Sequence, residues 1–305
     1  MKRRTTLPLG VFCATFLAIA FLNAAQVRSK PSTDTKKKIK VFVSILPQAY
    51  FVERVGGERV DVSVLVGPGY SPATYEPTPR QMAELGKAKV YFRIGVPFEN
   101  VWMMRISRAN PHMKVIDTRR GIEVRPMNAY HPNNAGQHYP YPKGMKDPHV
   151  WLSLRLVKVQ AQIICHALIS EDPAQRAYYQ DNLRALHHDL DRLDAEIKET
   201  LENLKMRKFM AFHPAWGYFA SDYGLEQIPI EVEGKEPSAK ALADLIKRAK
   251  QEGIKVVFVQ AQFSTRNAET VAQAVGARIV RINPLAKDYL KNMRKIAETF
   301  RKVIQ

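Results

Sequence analysis

Short apolar runs rich in β-branched residues alternate with helical patterns along most of this 305-residue chain, and that alternation limits its fold more than any other feature. The runs are Lys40-Val-Phe-Val-Ser-Ile-Leu46, Val60-Asp-Val-Ser-Val-Leu-Val66, Lys89-Val-Tyr-Phe-Arg-Ile94 and Lys114-Val-Ile-Asp117, followed later by 208–212, 225–230, 255–259 and 277–282. Helical patterns fall between them, near 48–56, 78–87, 98–108, 238–252, 266–275 and 287–303. Strands that alternate with helices pair in parallel, because a parallel neighbour is reached only through a crossover long enough to carry a helix. Between the two sets of runs, Leu183, Leu186, Leu190, Leu193, Ile197, Leu201 and Leu204 recur at spacings of three and four. That period predicts one amphipathic helix starting near Pro173, roughly 45 to 50 Å long at about 1.5 Å per residue. The expected fold is α/β: two β/α lobes with mainly parallel sheets, joined by one long backbone helix, with a ligand cleft between the lobes.

The N-terminus is of another kind. Met1-Lys-Arg-Arg-Thr-Thr precedes the apolar run Leu7 to Leu22, the pattern of an export signal. Residues 26–38 are polar, basic and aperiodic, as a flexible tether would be. The expected organisation is therefore a signal peptide or uncleaved anchor over 1–25, a tether over 26–38, an N-terminal lobe over 39–150, connecting helices over 151–206 and a C-terminal lobe over 207–305. Export implies a periplasmic or other extracytoplasmic location. Of the two cysteines, Cys13 leaves with the signal and Cys165 stays alone, so no internal disulfide forms.

The formal charge of +18 stays strongly positive without Lys2, Arg3 and Arg4. Export rules out cytoplasmic nucleic acid as the partner. An anionic lipid surface, an acidic face on a membrane partner and a merely solvated basic surface all remain consistent with the charge. The expected state is a monomer.

In parallel sheets ligands sit beyond the carboxyl ends of strands, so the residues there matter most. Gly67-Pro-Gly-Tyr-Ser-Pro-Ala-Thr-Tyr-Glu-Pro-Thr-Pro79 follows the second run and is stiffened by its prolines. His213 directly follows Phe209-Met-Ala-Phe212, and His149 lies in Lys146-Asp-Pro-His-Val-Trp-Leu152, at the exit of a loop rich in Pro, Asn and Gly over 125–146. Two imidazoles that converge can hold a transition metal, whereas either alone is an ordinary hydrogen-bonded histidine. His131 and His138 lie in that loop. His187 and His188 are adjacent on the long helix and cannot share one face, and His166 reads as a packed residue. Glu231, Glu233 and Glu236 precede Ser238 at a helix start, where capping and dipole roles account for them. No Gly-x-Ser-x-Gly elbow, phosphate loop, dinucleotide fingerprint or His-Glu-x-x-His helix occurs, so the sequence points away from an enzyme.

Tyr75-Glu-Pro-Thr-Pro79, Asp147-Pro-His-Val-Trp-Leu152, Phe212-His-Pro-Ala-Trp-Gly-Tyr-Phe-Ala220, Glu236-Pro-Ser238 and Asn283-Pro-Leu285 occur in one order along the chain. From about Ile39 to its end the sequence resembles the zinc and manganese solute-binding proteins of bacterial ABC importers. The resemblance implies one zinc or manganese ion held between two lobes, little lobe movement, and delivery to an ABC permease in the cytoplasmic membrane. It also implies metal ligands at His149 and His213. The family's first ligand position, usually histidine, is Ala73 here, and its fourth, typically aspartate, is Asn283. Alanine has no lone pair, and an amide replaces an anion, so the resemblance leaves the shell to be completed by Asn283 or by auxiliary donors. Tyr70, Thr74, Glu76, Gln260, Gln262, His131 and His138 are the candidates. Two other expectations stay open beside this one: a cleft for a metal chelate or other small solute, and a metal-independent adhesion or interaction module.

Overall fold

The computed structural model describes residues 38–127, 146–231, 237–262 and 266–304. The N-terminal apolar run, the tether up to residue 37, and His131 and His138 lie outside the described residues. The first sheet contains β1 (Ile39–Ile45), β2 (Val60–Val66), β3 (Val90–Arg93) and β4 (Lys114–Asp117), in the order β2-β1-β3-β4. The second contains β5 (Lys208–Ala211), β6 (Glu226–Pro229), β7 (Val256–Val259) and β8 (Arg278–Arg281), in the order β6-β5-β7-β8. Every pairing in both sheets is parallel. The apolar runs explain this: Val256-Val-Phe-Val259 is buried throughout, as a strand covered on both faces must be.

Helices α1 (Leu46–Gly56), α2 (Pro79–Leu85) and α3 (Pro97–Ala109) belong to the first sheet, and α6 (Gly217–Asp222), α7 (Ala239–Gln251) and α8 (Arg266–Val275) to the second. Between the sheets run α4 (Leu154–Glu171) and α5 (Arg176–Leu201), and α9 (Tyr289–Val303) closes the chain. Leu186, Leu190, Leu193, Ile197 and Leu201 form the buried stripe of α5. At 26 residues this helix is shorter than its leucine spacing predicts, about 39 Å at 1.5 Å per residue. Pro173–Gln175 forms a separate 3-10 turn before it, and Leu204 is buried beyond its last turn.

One continuous apolar cluster takes in β1, β3, α4, α5, α9 and part of the second sheet. Tyr289 of α9 packs edge-on against Phe51 of α1 at 4.8 Å between ring centres. Its hydroxyl donates to the Trp151 carbonyl at 2.6 Å, while Trp151 Nε1 donates to the Pro284 carbonyl at 2.8 Å. A second, smaller cluster lies beneath α7 and α8, around Met210, Ile228, Leu245 and Val271. Both sheets reverse their strand order beside their first strand, between β1 and β3 and between β5 and β7. The carboxyl ends at such a reversal splay apart and leave a crevice. Among the described residues, no helix is long and apolar enough to cross a membrane.

Candidate metal centre

His213 stands just beyond β5, at the reversal point of the second sheet. The ladder carries one residue past the strand: Phe212 N–H donates to the Phe258 carbonyl at 2.8 Å, and Glu231 N–H to the Phe212 carbonyl at 3.0 Å. The chain then leaves the sheet at His213-Pro214, and Gln260 Nε2 donates to the His213 carbonyl at 3.1 Å. Glu231, which follows β6, is 2% exposed, and its Oε1 meets His213 Nδ1.

His149 comes from the segment before α4 and is 6% exposed. Asp147 Oδ1 accepts the His149 backbone N–H at 3.0 Å and lies 2.7 Å from His149 Nδ1. Asp147 is held in turn, its N–H donating to the Arg125 carbonyl at 2.8 Å and its carbonyl accepting the Tyr218 hydroxyl at 3.2 Å. The segment carrying His149 is therefore fixed to α6 of the other sheet.

Each Nδ1 faces a carboxylate, so each imidazole carries a proton there and turns Nε2 the other way. The two Nε2 atoms stand 3.2 Å apart. Zinc-to-imidazole bonds of about 2.0 to 2.1 Å joined across such a gap subtend about 100°, close to the tetrahedral angle. Carboxylates behind the ligating imidazoles fix the tautomer and raise the basicity of the metal-facing nitrogen. Burial lowers the pKa of His149 against the opposing pull of Asp147, which keeps this nitrogen unprotonated to lower pH than a free imidazole.

The remaining sequence candidates are placed as follows. Ala73 is exposed on the turn after β2, its N–H donating to Ser71 Oγ at 3.2 Å. The turn's frame is firm: Thr78 caps α2 in a reciprocal box with Gln81, whose Nε2 also donates to the Leu65 carbonyl at 2.8 Å. Tyr75 packs edge-on against Phe98 at 5.7 Å. Tyr70 is 62% exposed with its ring against Tyr75, and Glu76 is exposed. Asn283 is exposed too; its Oδ1 accepts the Leu285 N–H at 2.9 Å and its carbonyl the Asn292 amide at 2.7 Å. The contacts thus gather His149, His213, Asp147 and Glu231, while those of Asn283 and Tyr70 stay within their own neighbourhoods. Among the described residues, no group of three or more His, Cys, Asp or Glu side chains is disposed to hold a metal ion.

Two expectations change. Ser238, not Glu231, caps α7 by accepting the Ala241 N–H, and Glu231 is instead buried behind His213. His166 is exposed rather than packed. Asp147 could have been found from the Asp-Pro-His spacing, since an aspartate two residues before a histidine can fold back on its ring. Glu231 could not, because its partner depends on β6 lying beside β5.

A family model described as zinc-uptake complex component A, periplasmic, matches residues 41–303. The high-affinity zinc uptake system protein ZnuA of Bacillus subtilis is 28% identical over 282 residues, which span 91% of this chain and 88% of that protein. The manganese ABC transporter substrate-binding lipoprotein PsaA of Streptococcus anginosus is 27% identical over 278 residues, 87% of this chain and 85% of that protein. A crystal structure of ZnuA superposes with a TM-score of 0.81 at 42% identity, covering 88% of this chain and 100% of that one.

Proposed function

This chain belongs to the family of zinc-uptake complex component A, and from that premise we propose that it is the extracytoplasmic solute-binding component of an ABC importer, with a divalent transition metal of the zinc or manganese class as its cargo. The observation that carries the proposal is the imidazole pair: Nε2 atoms from two distant parts of the chain, 3.2 Å apart, each ring backed by a carboxylate. In this reading His149 and His213 are the ligands, with Asn283 Oδ1, which also accepts the Leu285 N–H, as a third oxygen donor. The protein works by capture and handover to a permease in the cytoplasmic membrane, as a monomer and without chemistry of its own.

Capture follows from the charges. Asp147 and Glu231 place two carboxylates behind two neutral donors, which favours a divalent cation in a site partly shielded from water. Ala73 supplies nothing, so water or a small chelating molecule fills the position. That absence favours a second reading, in which the ion arrives with ligands of its own.

Calorimetric titration of the chain from residue 26 with zinc and with manganese tests the proposal. At least one ion is expected to bind well below the millimolar range, and His149→Ala and His213→Ala are each expected to lose that binding. Millimolar or weaker affinity for both ions would sink direct metal capture. If binding is tight only when a small chelator is supplied with the ion, the second reading holds. The pair Ala73→His and Asn283→Asp is expected to tighten zinc binding, since it adds one imidazole and one anion.

A further inference from the structure

Gln260 lies just past β7, on the neighbour of the strand that delivers His213, and is 1% exposed. Its amide is half used. Nε2 donates to the His213 carbonyl at 3.1 Å, while Oε1 is buried with no hydrogen-bond partner among the described residues. A buried amide oxygen left unpaired costs about 1 to 3 kcal/mol, so it calls for a ligand or water that is part of the working state. Trp216 Nε1, on the loop after β5, is another buried polar atom without a partner among the described residues, but it is an N–H donor and repels a cation. Gln260 Oε1 is an acceptor, and the same amide's Nε2 ties it to the residue that carries the metal-facing imidazole.

We propose that Gln260 Oε1 accepts a hydrogen bond from a water molecule bound to the captured ion. This rests on the metal reading of His149 and His213. A water on a divalent cation is a strong donor, because the cation draws electron density from its O–H bonds; a neutral amide oxygen takes that hydrogen bond without adding charge. The position thereby tunes affinity. A carboxylate there would hold the same water more tightly and make release slower.

Three variants separate this role from its alternatives, each titrated with zinc by calorimetry and followed by thermal melting without metal. Gln260→Met keeps the length but removes both amide functions, and is expected to weaken zinc binding about 10- to 100-fold, the range for outer-shell partners. Gln260→Glu keeps an acceptor oxygen but loses the donor to the His213 carbonyl, and is expected to bind zinc at least as tightly as the parent. If Gln260 only anchors the His213 loop, both variants weaken alike; if it is idle, neither changes, and either result overturns the proposal. His213→Ala is the control for the premise. Should it bind zinc as well as the parent, the metal reading itself fails, whatever position 260 does.

Discussion

A carboxylate stands behind each of the two imidazoles, and at the scale of single residues that is what turns two histidines into one site. Rings free to rotate would seldom present both Nε2 atoms together, and Asp147 and Glu231 remove that freedom. Glu231→Gln leaves a hydrogen-bonding group on His213 but no anion, and is expected to weaken zinc binding about 10- to 100-fold, less than His213→Ala, when both are titrated in the same buffer. Equal losses would show that the carboxylate's charge counts for as much as the ligand. How much of this was legible in the sequence depends on distance along the chain. Position alone, a loop exit for His149 and a strand end for His213, left each histidine an ordinary hydrogen-bonded residue; it was the family resemblance that paired them, and Asp147 sat two residues from its partner. Glu231 lies eighteen residues from its own, and the apolar pattern of β6 tells nothing of which strand it will adjoin.

Among the elements, the strands of the described residues were readable from short β-branched runs that alternate with helical patterns; β7 is buried throughout, whereas the edge strands β4 and β8 are exposed or half-buried. The length of α5 was not, since the leucine period continues past the last helical turn into a buried Leu204. That helix is tied to the first sheet's layer by Arg54 of α1, which donates to Asp189 Oδ2 at 2.7 Å. This hydrogen bond lowers the pKa of Asp189 below the ordinary carboxylate range. A carboxylate whose pKa is lower folded than unfolded stabilises the protein fully above the unfolded value, about 3.9, and loses that contribution as the pH falls through the folded one. Arg54→Met is therefore expected to lower the melting temperature at pH 7 and to converge on the parent as the pH is taken below about 4. A gap that stays constant across that range would place the stabilisation in the arginine's packing instead.

For the whole molecule, the decisive feature is that both sheets share one apolar cluster. Phe300 of α9 stacks on Phe258 at 4.4 Å and meets Phe209 edge-on at 4.8 Å, while Tyr289 of the same helix reaches Phe51 in the first layer. Phe300→Ala is expected to cost about 3 to 5 kcal/mol and to appear in denaturant melts as a shift of one cooperative transition. Two separate transitions would show that the sheets unfold independently. The smaller cluster under α7 and α8 stands apart from this core, so amide exchange is expected to be faster in those helices than in α5. Small-angle scattering with and without zinc is expected to give nearly the same radius of gyration, because a shared core and a long helix leave little room for a hinge.

The imidazole pair has one more consequence, and it concerns time. Under the proposed capture, an ion held by His149, His213 and Asn283 alone would keep positions open to small, exchangeable ligands, so a receiving protein could bind it before the histidines let go. Transfer then runs through a shared intermediate and never requires a bare cation in the crevice. Ala73, exposed on the turn after β2, has no side-chain donor to offer, so under the proposed capture the residence time of the cargo is set by ligands that can exchange.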